Sequence, residues 1–231
     1  MTLNSRQHRW VYLFSIALIM IGLPFSVALI SIGEMVLAAN FLLEGRRKER
    51  LAILKKTKSI WLFTGLYLMH LIGLLWTTDL SFAMDDLRNK LPLLIFPIII
   101  PLSQRLSRRE FLWIGAIFSA AVIAASFAST FQYLTHRADP GFDHRTISLF
   151  ASHIRYSLMV CLSYIILLNC AWNEEKQTWL RVLYLVLAVW MSVFIFILQS
   201  MTGIVVWMLC SYMLLFYTLF YIKNILLRVT G

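Results

Sequence analysis

The sequence predicts an all-α protein: a polytopic integral membrane helical bundle of about eight transmembrane helices, with its N-terminus cytoplasmic. Three observations predict it. Sixty per cent of the residues are apolar and mean hydropathy is +0.77, above that of ordinary soluble domains. The apolar residues come in blocks approaching the roughly 20 needed to cross a bilayer core. Short patches rich in Lys and Arg separate the blocks. Backbone groups in lipid find no water, so such blocks fold as helices that satisfy their own hydrogen bonds.

The first apolar run, Val11 to Leu43, exceeds the roughly 7–15 apolar residues of a cleaved signal peptide. Basic residues flank both of its ends: Arg6 and Arg9 before, then Arg46, Arg47, Lys48 and Arg50 after. A hairpin turning near Pro24, beside Gly22, places both clusters on one side of the membrane, as the positive-inside rule prefers. The third span is Ser59 to Trp76, followed by a polar excursion over 77–90. The fourth, Leu91 to Leu102, is short and interrupted by Pro97 and Pro101. After a basic turn comes the fifth, Phe111 to Leu134, and then the longest polar loop, 135–154. Arg155 to Trp172, Trp179 to Gln199 and Gly203 to Ile222 complete the set. Residues 1–231 therefore read as a single transmembrane domain with outer loops 77–90 and 135–154.

The charges support this layout. Of 21 Lys and Arg, 16 fall on the inner side, and only Arg88, Lys90, Arg137, Arg145 and Arg155 fall on the outer side. The net charge of +10 is therefore a membrane signature, since the cations sit at helix ends where they meet headgroups. Nucleic acid is not an expected partner; membrane lipids are. Cys161, Cys170 and Cys210 lie in or beside apolar spans with no paired spacing, and read as inert thiols.

Two outer segments carry the ionisable groups. Loop 135–154 holds His136, Arg137, Asp139, Asp143, His144, Arg145 and His153, with a turn at Pro140-Gly141. Arg155 follows it. Arginine grips phosphate with a fixed fork of donors, and histidine exchanges a proton near neutral pH. Arg145, Arg155, His153 and His144 are thus candidates for a phosphate-bearing lipid carrier, against the plainer reading of a solvated loop touching headgroups. The histidine spacings do not suit zinc, and neither a metal nor a cofactor is expected. In segment 81–90, Asp85 with Arg88 and Asp86 with Lys90 stand at helical spacing, and Phe82, Ala83 and Leu87 form an apolar face. A short helix lying on the membrane surface is expected.

Glu34 is the one carboxylate inside an apolar span, and His70 lies at a similar depth in the third. Intramembrane ionisable groups face a partner or a cavity, so a Glu34–His70 pair is expected, as packing glue or as a proton site. No phosphate-cradling loop, G-x-G-x-x-G or G-x-S-x-G is present, which argues against nucleotide-driven chemistry.

Three stretches together carry a resemblance: LFSIALIMIGLPFSVALISI; YLMHLIGLLWTTD followed by DDLRNKLPLLIFPIIIP; and RTISLFASHIRYSLMVCLS leading to FILQSMTGIVVWML. In this order they resemble the O-antigen ligase and polymerase superfamily of bacterial envelope enzymes. The resemblance covers nearly all of the chain, through loose and mostly apolar motifs. It implies a multi-pass protein of the bacterial inner membrane. The implied reaction transfers a glycan from an undecaprenyl-pyrophosphate carrier to a lipid or sugar acceptor on the periplasmic face. In that family arginines hold the pyrophosphate and a histidine in a large, late periplasmic loop activates the acceptor. Two features depart from the pattern. Met201 stands where the family has an arginine beside the glycine, here Gly203. The family also has more spans and a late catalytic loop, so these 231 residues correspond to an N-terminal portion, a truncated product or a short relative. No residue here inherits the catalytic histidine. The alternatives are a lipid or ion transporter of flippase type, which Glu34, His70 and the proline-broken fourth span would suit, and a structural subunit without activity.

Overall fold

The computed structural model describes residues 4–45, 47–136, 147–173 and 177–230, with the side chains of 47, 48, 51 and 221–230 outside the description. The described residues contain no strand. Among the described residues ten α-helices run in order: α1 (Ser5–Phe25), α2 (Val27–Leu43), α3 (Arg47–Lys56), α4 (Lys58–Gly73), α5 (Leu80–Lys90), α6 (Pro92–Leu102), α7 (Arg108–His136), α8 (His153–Asn173), α9 (Thr178–Leu198) and α10 (Met201–Thr230). A 3-10 turn, Leu74–Trp76, extends α4.

All eight apolar blocks are helical. Among the described residues six helices are long and apolar enough to cross a membrane: α1, α4 with its 3-10 turn, α7, α8, α9 and α10. The other two fall short of the expected eight spans. At 1.5 Å per residue α2 reaches about 25 Å and α6 about 16 Å, against a hydrocarbon core of about 30 Å. Pro97 and Pro101 each withhold a backbone N–H, and the chain leaves the helix at Ser103. The protein is thus an all-α, multi-pass membrane protein.

The helices gather into two compact units: Met1–Ile19 with Ala28–Glu110, and Met20–Val27 with Phe111–Gly231. In the first, α1 and α2 form the expected hairpin. Asn4 caps α1, receiving the Ser5 N–H on its Oδ1, while Gln7 Oε1 accepts the Asn4 N–H. His8, Tyr12, Ser15, Ile16 and Ile19 make the buried stripe of α1. Gly33, Glu34, Leu37 and Asn40 make that of α2. The helices meet closely because Gly33 has no side chain: a Cβ there would lie 2.6 Å from Ile19 Cγ1 and 3.1 Å from the Ser15 carbonyl oxygen. At the other end of the pair the Asn40 amide donates to the His8 carbonyl at 3.0 Å, and its Oδ1 lies 2.7 Å from His8 Nδ1.

Arg9 organises this end. Its Nη1 and Nη2 donate to the carbonyls of Gln104 and Arg105, each at 3.0 Å, and its fork grips Glu110 through Nε at 3.0 Å and through Nη2. Glu110 also accepts from the Ser107 N–H (2.8 Å) and hydroxyl (2.7 Å), while the Glu110 N–H donates to Ser107 Oγ at 3.3 Å. Ser107-Arg108-Arg109-Glu110 is therefore a capping box opening α7. The Arg9 guanidinium, then Ser107, hold the Glu110 carboxyl down at about 2, ahead of the apolar run that begins at Phe111. The basic stretch after α2 folds as α3, where Arg50 pairs with Glu44 and lies over the Phe41 ring. Ile60, Ile99 and Leu102 supply buried contacts among α4, α6 and their neighbours.

The second unit has the larger core. Phe118, Val122 and Ala125 of α7 pack with Tyr156 and Val160 of α8 and with Met191, Phe194, Ile195 and Leu198 of α9. Polar side chains tie the helices: Trp190 Nε1 donates to Ser126 Oγ at 2.9 Å, and Trp207 Nε1 to Ser192 Oγ at 3.1 Å. The turn between α9 and α10 is tight. Gln199 takes a left-handed conformation (φ 54°) and ends α9, and Ser200 caps α10 through a 3.4 Å bond from the Gly203 N–H. Ser200 Oγ also donates to Ser157 Oγ of α8 at 3.0 Å.

Tryptophans mark the helix ends nearest the Lys and Arg clusters. Trp10 and Trp61 in the first unit, and Trp113, Trp172 and Trp179 in the second, are all exposed. Indoles at such positions form the interfacial belt of a membrane protein.

Candidate functional site

The outer segment 77–90 builds a cleft. Asp79 caps α5, its Oδ1 accepting the Phe82 N–H at 3.0 Å, and the Thr77 hydroxyl donates to the Asp79 carbonyl at 3.3 Å. The expected short helix forms, and Ala83, Asp86, Leu87 and Lys90 are its less exposed positions, spaced as one helical face. Leu87 is buried, and Phe82 is exposed. Of the two expected ion pairs, Lys90 with Asp86 forms at 2.5 Å; among the described residues Asp85 and Arg88 are not joined.

Between α5 and the end of α4 lies a cleft of about 530 Å³, lined among others by Leu66, Met69, His70, Thr77, Phe82 and Asp86. That volume suits a small-molecule or headgroup-sized ligand. Gly73, where a Cβ would meet nothing within 4 Å, also lines it. His70 Nδ1 lies 2.8 Å from the Leu66 carbonyl oxygen. A carbonyl only accepts, so Nδ1 carries the proton and Nε2 holds the lone pair of the neutral ring. The cleft thus combines a fixed imidazole tautomer, a carboxylate and an apolar wall at the end of the span remote from its lysines. Such a group can take a proton from a hydroxyl brought within reach of Nε2.

Other sequence-derived candidates fall elsewhere. His153 and Arg155 stand in the first turn of α8, which begins two residues before the expected span. Arg155 is exposed, and its Nε donates to Ser152 Oγ at 3.1 Å. Arg145 and His144 lie outside the described residues, as do Arg137, Asp139 and Asp143. The part of that loop nearest α8 is more anchored than its polarity suggests: Ile147 is fully buried in the core, and the Phe150 ring meets Phe25 edge-on at 5.3 Å.

The expected Glu34–His70 pair is not made. Glu34 is 9% exposed, its Oε1 is buried with no hydrogen-bond partner among the described residues, and His70 spends Nδ1 on its own helix. Equal depth in the bilayer fixes height but not neighbour, and the face of α4 that bears His70 looks onto the cleft with α5. Met201 is 79% exposed.

Sequence reasoning missed that His70 and Asp86 line one cleft. The available signal was Asp79, a capping residue three positions after the end of the span, which starts α5 at once and folds it back against α4. Among the described residues no group of three His, Cys, Asp or Glu could hold a metal ion. No protein-family model, no curated protein and no solved structure matches the chain.

Proposed function

We propose that this protein transfers a glycan from an undecaprenyl-pyrophosphate carrier to a lipid or sugar acceptor, on the periplasmic face of a bacterial inner membrane. The observation that carries the reading is the α4–α5 cleft, where His70 presents a basic Nε2 at the end of a membrane span. The donor implied by the resemblance is already activated, so the absence of nucleotide motifs is consistent with it. The acceptor hydroxyl gives its proton to His70 Nε2 and its oxygen bonds to the anomeric carbon. The bond from that carbon to the pyrophosphate oxygen breaks, and undecaprenyl pyrophosphate leaves with the electron pair.

The test is glycan transfer by the purified full chain in a lipid nanodisc, with an undecaprenyl-pyrophosphate-linked oligosaccharide and a glycolipid acceptor. Removing a general base lowers such a rate by about 10²–10⁴-fold. His70→Gln is expected to do so while leaving the helical circular dichroism unchanged. An inactive wild type, or a His70→Gln protein as active as wild type, overturns the assignment.

One observation favours a second reading, an ion or lipid transporter. Glu34 is a buried carboxylate within an apolar helix, with an oxygen that no described residue bonds. Such groups mark ion and proton paths.

A further inference from the structure

The second unit carries a cleft that shares no residue with the candidate site. It measures about 640 Å³ and opens between the end of α8, the start of α9 and the middle of α10. Its apolar wall includes Ile165, Leu168, Leu185 and Leu214. Along α8 it runs from Ile165 to Asn173, about 12 Å at 1.5 Å per residue. At its head stand Arg181 and the Asn169–Asn173 pair.

Two features say what this head would take. Arg181 is exposed, and among the described residues its guanidinium has neither a carboxylate nor a hydrogen-bond partner. Asn173 Nδ2 donates to both the carbonyl and the Oδ1 of Asn169, so the Asn169 amide accepts through its oxygen and keeps its NH₂ for another acceptor. The site therefore offers one fixed positive charge and an amide donor, and it calls for an anion. The anion must also bring hydrocarbon, because a cleft wall of leucine and isoleucine continues from that head. Trp172, another lining residue, and the exposed Trp179 set the head at the depth of lipid headgroups.

We infer that this cleft binds an anionic glycerophospholipid. The phosphate lies against Arg181 and the Asn169 amide, and the upper part of one acyl chain lies along Leu168, Leu185 and Leu214. A zwitterionic lipid of equal chain length fills the same groove but has its own cation competing for the phosphate, so it binds less tightly. One arginine near a membrane surface contributes about 1 kcal/mol towards an anionic lipid, about a fivefold preference.

Native mass spectrometry of the purified full chain, stripped of co-purifying lipid and titrated separately with phosphatidylglycerol and phosphatidylcholine of identical chains, tests this. Wild type is expected to hold phosphatidylglycerol about fivefold more tightly. Arg181→Gln brings it to the level of phosphatidylcholine, Arg181→Lys keeps most of the preference, and Arg88→Gln leaves it unchanged. Leu185→Trp, which fills the groove, weakens both lipids alike. Equal binding of the two lipids by wild type overturns the inference. So does a preference that survives Arg181→Gln.

Discussion

The crossing of α8 with α10 depends on one missing methyl group. A Cβ built on Gly203 would lie 2.6 Å from Ser157 Cβ, 2.9 Å from Ser157 Oγ and 3.3 Å from Ile195 Cδ1. Carbon atoms settle at about 3.5–4.0 Å, so Gly203→Ala requires the helices to part by about 1 Å. Neither Cβ can rotate away, because both are fixed to backbone. That separation stretches the Ser200–Ser157 hydrogen bond, now 3.0 Å, and the bond from Cys161 Sγ to the Gly203 carbonyl, now 3.4 Å. Overpacking of this kind destabilises by about 1–3 kcal/mol, and each strained hydrogen bond adds about 1 kcal/mol. Alanine returns at most about 1 kcal/mol in helix propensity. The net expectation is a loss of about 3 kcal/mol. It is measured by unfolding the protein in mixed micelles of increasing dodecyl sulfate, followed by circular dichroism. Ser157→Gly removes the opposing Cβ and is expected to restore much of the loss in the double variant. Ser157→Ala keeps that Cβ and is not. If Gly203→Ala unfolds at the wild-type dodecyl sulfate fraction, or if both Ser157 variants rescue equally, the close-contact reasoning fails.

Two further predictions concern the first unit. A carboxyl lowered in the folded state contributes fully above its ordinary value of 4.5 and loses that contribution as the pH falls towards about 2. Wild type should therefore hold its stability from the Glu110 capping box down to the low end of this window. Arg9→Gln should move the onset of acid destabilisation up towards 4.5, seen in melting temperatures taken across that range; coincident acid limbs would count against the Arg9 clamp. Glu34→Met should change stability by less than about 1 kcal/mol in the same dodecyl sulfate titration, since no bonded partner is left behind. A larger loss would mean that Glu34 has a partner. Glu34→Met should also abolish proton flux in proteoliposomes if the transporter reading holds, and unaltered glycan transfer with unaltered flux would remove that reading.

Much of the fold was legible because lipid leaves the backbone so few choices. The hairpin at Pro24, the helix after Asp79 and all eight apolar blocks follow from hydropathy, proline and charge. Lengths were less legible. Apolar residues continue to the end of α2 and through α6, but polar residues and prolines close the helices before they reach bilayer length. Helix starts lay outside the apolar signal: α1 begins at Ser5 and α7 at Arg108, because Asn4 and Ser107 cap polar first turns. Ser107-x-x-Glu110 was readable as a capping box, whereas its grip by Arg9 was not, since no local pattern joins residues so far apart. The same limit applies to the candidate site. The sequence brought His70 forward as an intramembrane ionisable group, but placing it in a cleft with Asp86 and not beside Glu34 requires knowing which helix lies beside α4.

The Arg9–Glu110 clamp also bears on the order in which the chain matures. Arg9 leaves the ribosome before its partners, and Gln104, Arg105 and Glu110 emerge about a hundred residues later. Synthesis at about 5–20 residues per second makes that interval some seconds. Throughout it the first helix has its partner in α2, yet its guanidinium has only water and headgroups to bind. Closing so long a segment carries an entropic penalty that local contacts do not offset. The first unit is therefore finished last at its own beginning, and a chain stalled before Glu110 would have a packed hairpin whose outermost turn is still unfastened.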